Sequence, residues 1–167
     1  SKRVYRTLMR EQSMEQAAVI YQRLSVGNYS GLLLARKLRK KLIVEYNGSE
    51  VWVSKNWGAG LRFPKLALAA ETAMLRGADL VVTISDVLAE ELRSRGINEN
   101  KIVNYPNCVD ETKFDPALFS DQSIADLRAK YGISKGGIVS LFLGTFGTWH
   151  GTEIYARAIS ILLESHA

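Results

Sequence analysis

Short runs of β-branched and aliphatic residues, repeated along the chain and separated by longer stretches with helical spacing, limit most sharply what these 167 residues can form. The runs are Ala18-Val19-Ile20-Tyr21, Leu42-Ile43-Val44-Glu45-Tyr46, Leu80-Val81-Val82-Thr83-Ile84, Lys101-Ile102-Val103-Asn104-Tyr105 and Ile138-Val139-Ser140-Leu141-Phe142-Leu143. Each is continuous rather than alternating, the pattern of a strand covered on both faces. Helices are expected between them, near 30–40, 62–77, 86–95, 121–131 and 152–165. In the fourth, Ile124, Leu127 and Tyr131 recur at intervals of three and four and share one face. Ser85-Asp86 supplies an N-cap and a first-turn acid directly after a strand, and Gly96 follows the last turn of that helix. Alternating units of this kind predict a parallel sheet with helices on both sides. The fold class expected is α/β.

One stretch interrupts the alternation. From Pro106 to about Ser120 the chain has turn chemistry and little periodicity, with Pro106-Asn107-Cys108-Val109-Asp110 followed by Phe114-Asp115-Pro116. Connections inside compact α/β units usually run about 2–6 residues, so a crossing between domains is expected here. After it come one helix, one strand and one further helix, too little to bury a strand on both faces. The reading is therefore a first Rossmann-like domain over 1–105, a hinge over 106–120 and the incomplete start of a second domain over 121–167. With no initiator methionine and a helical-looking opening, the chain reads as a fragment cut at both ends.

Composition narrows the function classes. One cysteine cannot form an internal disulfide or a cysteine-rich metal site, and it suits a reducing cytosol. No apolar run approaches ~18 residues, and no signal-peptide pattern follows Ser1-Lys2-Arg3, so a cytoplasmic protein is expected. The net charge of +5 is uneven: residues 1–50 hold ten Lys or Arg against four Asp or Glu, whereas 51–110 hold seven of each. Half of those ten lie in Arg36-Lys37-Leu38-Arg39-Lys40-Lys41. Such a run attracts anionic lipid or phosphate, which would give a peripheral contact at the cytoplasmic face of a membrane. It also closes a helix and complements its dipole, and the run stops where a strand begins. No aromatic residue is interleaved with it, which argues against a nucleic-acid partner.

A strand, a tight turn and a helix N-terminus form a recurring anion site in α/β proteins, because free N–H groups point outward there. Four such junctions occur, at 46–50, 84–86, 105–110 and 143–152. The last is the most pointed: Leu141-Phe142-Leu143-Gly144-Thr145-Phe146-Gly147-Thr148-Trp149-His150-Gly151 puts three glycines and a histidine between strand and helix. Gly144 allows close backbone approach, Gly151 lets a phosphate sit against the following helix, and Thr145 and Thr148 add hydroxyl donors. Glycine-rich turns also occur simply to make the turn.

The order of motifs resembles the middle of the family-four (group 1) glycosyltransferases. Ala78-Asp79-Leu80-Val81-Val82-Thr83-Ile84-Ser85 matches their A-D-x-V-x-x-x-S, and Lys101-Ile102-Val103-Asn104-Tyr105-Pro106-Asn107-Cys108-Val109-Asp110 matches K-I-x-V-x-P-N-G-V-D. Phe114-Asp115-Pro116 matches F-x-P, and the strand-glycine stretch at 141–151 fits the next motif. Ile20-Tyr21-Gln22-Arg23 and Glu45-Tyr46-Asn47-Gly48-Ser49-Glu50 are similar to one branch of the family. The resemblance implies two Rossmann-like domains with a cleft between them, and transfer of a sugar from a nucleotide sugar to an acceptor with retention, in polysaccharide biosynthesis. It places the acceptor, a sugar or lipid-linked sugar, on the first domain and most of the nucleotide sugar on the second. It implies no metal, and positive side chains with helix N-termini to stabilise the departing diphosphate.

The departures from that pattern shape the site expected. Thr145 stands where the family often has arginine, and His150 where it often has lysine, so both usual diphosphate cations are missing. A histidine carries charge for only part of the time near neutral pH. Asn47 aligns with the family's first-domain histidine; it can donate to a sugar hydroxyl but cannot act as acid or base. Cys108 replaces a glycine and is assigned no chemistry. The residues expected to bind substrate or donor are Gly144, Thr145, Phe146, His150 and Gly151, together with Asn47, Gly48 and Glu50. No catalytic residue is assigned. Glu91 and Glu99, with seven residues between them, repeat the spacing of the family's glutamate pair but fall before the hinge, as a chance spacing. That pair is expected beyond Ala167, and this chain alone is expected to transfer no sugar.

Trp52 and Trp57 fall in a stretch, 47–61, read as a loop rich in Gly, Ser and Asn. One indole is expected to stack on a sugar ring, with Glu50 accepting from hydroxyls, and the other to anchor the loop. Two other classes remain open beside the transferase. One is a non-catalytic nucleotide- or phosphate-binding single domain of flavodoxin-like topology, which would pair the 138–143 strand with 79–84 or 101–104. The other is a plain interaction domain.

Overall fold

The computed structural model describes residues 2–11, 13–147 and 150–165. They fall into two compact units, Ser1–Asn107 and Cys108–Ala167. In the first, strands β1 (Val19–Arg23), β2 (Lys41–Tyr46), β3 (Leu80–Thr83) and β4 (Ile102–Asn104) lie side by side in chain order, all parallel. Helices α1 (Lys2–Leu8) and α2 (Ser13–Gln16) precede the sheet, and α3 (Ser30–Leu38) joins β1 to β2. The next two, α4 (Glu50–Trp57) and α5 (Pro64–Gly77), join β2 to β3, and α6 (Asp86–Ser94) with a 3-10 turn at Glu99–Lys101 joins β3 to β4. The α/β class is thus observed, as a Rossmann-like parallel sheet flanked by helices.

The core follows from the connectivity. Every crossover steps across the sheet in the same direction, and right-handed connections then bring α3, α5 and α6 to one face. Ile20, Leu42, Val44, Tyr46 and Val81 point to that face and bury against Leu34 of α3, Met74 and Leu75 of α5 and Leu92 of α6. Alternate residues Val19, Tyr21 and Val103 stay exposed. The continuous apolar runs suggested cover on both faces; among the described residues only one face is buried. The runs look continuous because the second face is also apolar.

Two motifs have local explanations. Asp79 of the Ala78-Asp79 pair holds the start of β2: its carboxylate accepts from the Leu42 amide at 2.9 Å and from Lys41 Nζ at 2.8 Å, while its own amide donates to the Leu42 carbonyl at 2.8 Å. The basic run ends α3, with Arg36 and Lys37 in the last turn and Arg39 in the left-handed region at φ 54°. Lys40 N donates back to the Ala35 carbonyl at 2.9 Å, which closes the helix.

Two expectations change. The 47–61 stretch is not a loop throughout, because Ser49 caps α4 by accepting from the Trp52 amide and Glu50 adds a first-turn acid. In the second unit, Ile138–Leu143 forms no strand. That unit holds a 3-10 turn at Pro116–Leu118, α7 (Asp121–Lys130) and α8 (Thr152–Ser165), and no described residue of either helix is buried. A lone extended segment has no neighbour to satisfy its N–H and C=O groups, so apolar composition alone cannot make it a strand. The single five-stranded sheet therefore finds no support.

Candidate functional site

The carboxyl end of β2 opens into the candidate site. Tyr46 is the last strand residue, and its ring is fully buried beneath α5 and α6. Asn47 and Gly48 then turn the chain outward, with Gly48 at φ 116°, a conformation that strains any residue with a Cβ. Ser49 starts α4 directly after that turn, so the helix projects from the strand tip and carries Trp52 and Trp57 on its surface. Their rings meet edge to face, 4.8 Å between centroids at 88°. A cavity of about 550 Å³ lies against them, bounded by Asn47, Gly48, Trp52 and Trp57 on one side and by Leu88 and Glu91 of α6 on the other.

The polar groups around it are held in place. Asn47 Nδ2 donates to Glu45 Oε1 at 2.7 Å, and Glu45 Oε2 accepts from Tyr21 Oη at 3.0 Å. That leaves Asn47 one further amide proton and a carbonyl oxygen to offer. Beneath the cavity, Tyr46 Oη donates to Glu91 Oε1 at 2.5 Å and accepts from Arg95 Nη1 at 3.0 Å. Arg95 Nη1 also lies 2.7 Å from Glu71 Oε1, a Coulombic contact without hydrogen-bond alignment. Burial and the Glu91 hydrogen bond push the Tyr46 phenol far above its usual value, with Arg95 acting against them. Burial alone would lower the Arg95 guanidinium; the Glu71 carboxylate and Tyr46 outweigh it, and the net shift is upward.

The structure therefore joins Asn47 and Gly48 with both tryptophans at one cavity. Glu50, half-buried in the first turn of α4, is not among the residues lining it. Glu91, Tyr46 and Arg95 were missed as a group, because 45 residues separate Tyr46 from its partner. Two signals for them exist: a buried tyrosine needs a partner for its hydroxyl, and Glu91 and Arg95 have i,i+4 spacing. The Glu91–Glu99 spacing has no joint geometry, since Glu99 pairs with Arg93. A second cavity, about 450 Å³, lies between Gly27 and the start of α5 with Leu61, Phe63 and Leu66 in its wall. Among the described residues its polar side chains are Tyr29 and Arg62, with Arg62 lying over the Phe63 ring, and the rest of its wall is apolar or glycine.

The 144–151 turn belongs to the second unit. His150 Nδ1 lies 2.6 Å from the Thr145 carbonyl and 3.1 Å from Thr145 Oγ1, and its ring meets Phe142 edge-on. Gly151 is at φ 65°, and its carbonyl accepts the Tyr155 amide at 3.0 Å, beginning the bonding of α8. Gly144 packs close to Phe142, while Phe146 is largely exposed. Thr148 and Trp149 lie outside the described residues. Among the described residues no three His, Cys, Asp or Glu gather as a metal site would need, and no helix is long and apolar enough to cross a membrane.

A parallel α/β sheet flanked by helices, with a cavity at its carboxyl edge, is a Rossmann-like fold. A sequence model of Glycosyltransferase Family 4 matches residues 2–113, and the chain belongs to that family. Among solved structures, it is similar to a glycosyltransferase from Rickettsia africae ESF-5, at 20% identity and a TM-score of 0.62. That likeness covers 96% of this chain and 39% of the other, so the chain spans well under half the length of that structure. At this identity it speaks for the fold alone. No curated protein matches the chain.

Proposed function

We propose that this chain is part of a retaining glycosyltransferase that moves a sugar from a nucleotide sugar to a sugar or lipid-linked acceptor, and that the cavity beside α4 holds the acceptor. The observation that carries the reading is the chemistry of that cavity in a member of this family. Two indoles offer apolar faces to the C–H side of a pyranose, while Asn47 offers both a donor and an acceptor to its hydroxyls. The donor diphosphate belongs to the 144–151 turn. There Gly151 leads into α8, whose first amides have no partner within the helix and favour an anion. His150 orders that turn through its contact with the Thr145 carbonyl. Transfer then needs no group on Asn47 that ionises; its part is to bind and orient.

Ligand-observed NMR with a panel of monosaccharides, alongside tryptophan fluorescence, tests the acceptor site. Pyranose binding is expected to perturb the fluorescence, and Trp52→Ala or Trp57→Ala to weaken it by about tenfold, as one lost stacking contact implies. A panel that neither binds nor perturbs the fluorescence defeats the assignment.

A further inference from the structure

The cavity beside α4 is not electrically neutral. Glu91 reaches it from α6, and its Oε1 accepts from Tyr46 Oη at 2.5 Å and lies 3.5 Å from Arg95 Nη1. Neither contact uses Oε2, and the side chain remains 38% exposed. Arg95 also faces Glu71, which is 5% exposed. Two carboxylates thus share one guanidinium, leaving one negative charge in excess. No Lys, Arg or His is among the described residues lining the cavity.

We infer that this subsite takes an uncharged pyranose and rejects its uronic acid counterpart, with Glu91 setting the discrimination. The inference rests on the acceptor reading of the cavity and deepens it. A carboxylate oxygen accepts from sugar hydroxyls in charge-assisted bonds, about twice as strong as neutral ones. A uronate brings a second acceptor-only, negatively charged group to the same place, where no proton is shared and the repulsion, though partly screened by solvent, is unopposed by any cation in the described lining. Tyr46 and Arg95 are positioning residues: by holding Oε1 they turn Oε2 to the ligand.

The test uses the whole chain with two matched pairs, glucose with glucuronate and galactose with galacturonate, measured by ligand-observed NMR and tryptophan fluorescence. Wild-type protein is expected to hold the neutral sugar about tenfold or more tightly over the uronate. Glu91→Gln keeps an acceptor for Tyr46 Oη, removes the charge, and should bring that ratio to about threefold or below. Glu91→Asp keeps the charge and should keep the tenfold preference, which separates charge from any disturbance of packing. Equal binding of neutral and anionic sugars by wild type, or a ratio unchanged in Glu91→Gln, overturns the inference and leaves the acceptor reading standing. Binding of none of the four sugars overturns the acceptor reading itself.

Discussion

Leu42–Tyr46 in the first unit and Ile138–Leu143 in the second are similar in length and apolar content, yet they end in opposite environments. Leu42, Val44 and Tyr46 are fully buried, each under a helix and beside a parallel neighbour. Ile138 is 99% exposed and Leu143 92%, with no strand beside them among the described residues of their unit. The difference lies in what surrounds each run. Burial on one face requires a helix, hydrogen bonding requires two flanking strands, and β2 has both. Leu42→Ala should therefore cost about 3 kcal/mol through lost burial and a cavity, whereas Leu143→Ala should stay within about 0.5 kcal/mol. Chemical denaturation followed by circular dichroism checks both, and a comparable loss at Leu143 would mean that the second unit has a core of its own.

The next effect in size tests whether the first unit's core is held by polar as well as apolar contacts. Arg95 is 17% exposed on its side chain and answers Glu71, Glu91 and the Tyr46 hydroxyl together. Arg95→Ala leaves two carboxylates facing each other without their cation, at an expected cost of about 2 kcal/mol. Glu71→Gln in the same background should recover part of it, and a thermal melt of the single and double variants measures the coupling. Among the described residues, the Arg128 side chain of α7 donates only to the carbonyls of Ser134 and Gly137, so Arg128→Ala is expected to leave the main transition unmoved.

What the sequence made legible divides along the same line. The four strands could be read because β-branched runs flanked by helical periodicity need only local pattern to be recognised. The motif at Ala78-Asp79 pointed to the family, but its physical role, a carboxylate holding the Leu42 amide, spans 37 residues and appears only once β2 and β3 are paired. Helix α4 was hidden by composition: Gly, Ser and Asn suggested a loop, while the Ser49-Glu50 cap carried the stronger information. For the site, Asn47 and Gly48 came from the resemblance and both tryptophans from their chemistry. Glu91 could not, because its importance depends on Tyr46 and Arg95 lying beneath it.

A matched pair of caps gives a smaller effect. Ser85 accepts from the Leu88 amide at 3.3 Å to start α6, and Ser120 from the Ser123 amide at 3.2 Å to start α7. The local bonds are equivalent, but α6 buries Ala89 and Leu92 whereas α7 buries nothing. Ser85→Ala should lower the stability of the first unit by about 1 kcal/mol. Ser120→Ala should reduce helicity locally and leave that transition where it was. Hydrogen exchange at the amides of 86–94 and 121–130 distinguishes the two outcomes.

Two aspartates supply the finest version of the comparison. Lys41, then the Leu42 amide, hold the Asp79 carboxyl below the usual carboxylate range, and Thr112, then Lys113, do the same for Asp110. A carboxyl depressed in the folded state adds stability that is present above its unfolded value, about 3.9, and is lost as pH falls through the folded value. Both groups should therefore show low titration midpoints by carboxyl NMR, but only one should be linked to the sheet. Asp79 joins β2 to the start of β3, whereas the hydrogen bonds of Asp110 stay within its own turn, reaching no further than Phe114. The Asp79 carboxylate is 40% exposed on its side chain, so solvent screening limits Asp79→Asn to about 0.5 kcal/mol at neutral pH. That difference should shrink as the solution is acidified, because the wild-type carboxyl becomes protonated too. Asp110→Asn should leave the first unit's unfolding midpoint unchanged at every pH. An acid sensitivity of that midpoint which follows Asp110 rather than Asp79 would mean that the connection after Asn107 contributes to the stability of the sheet.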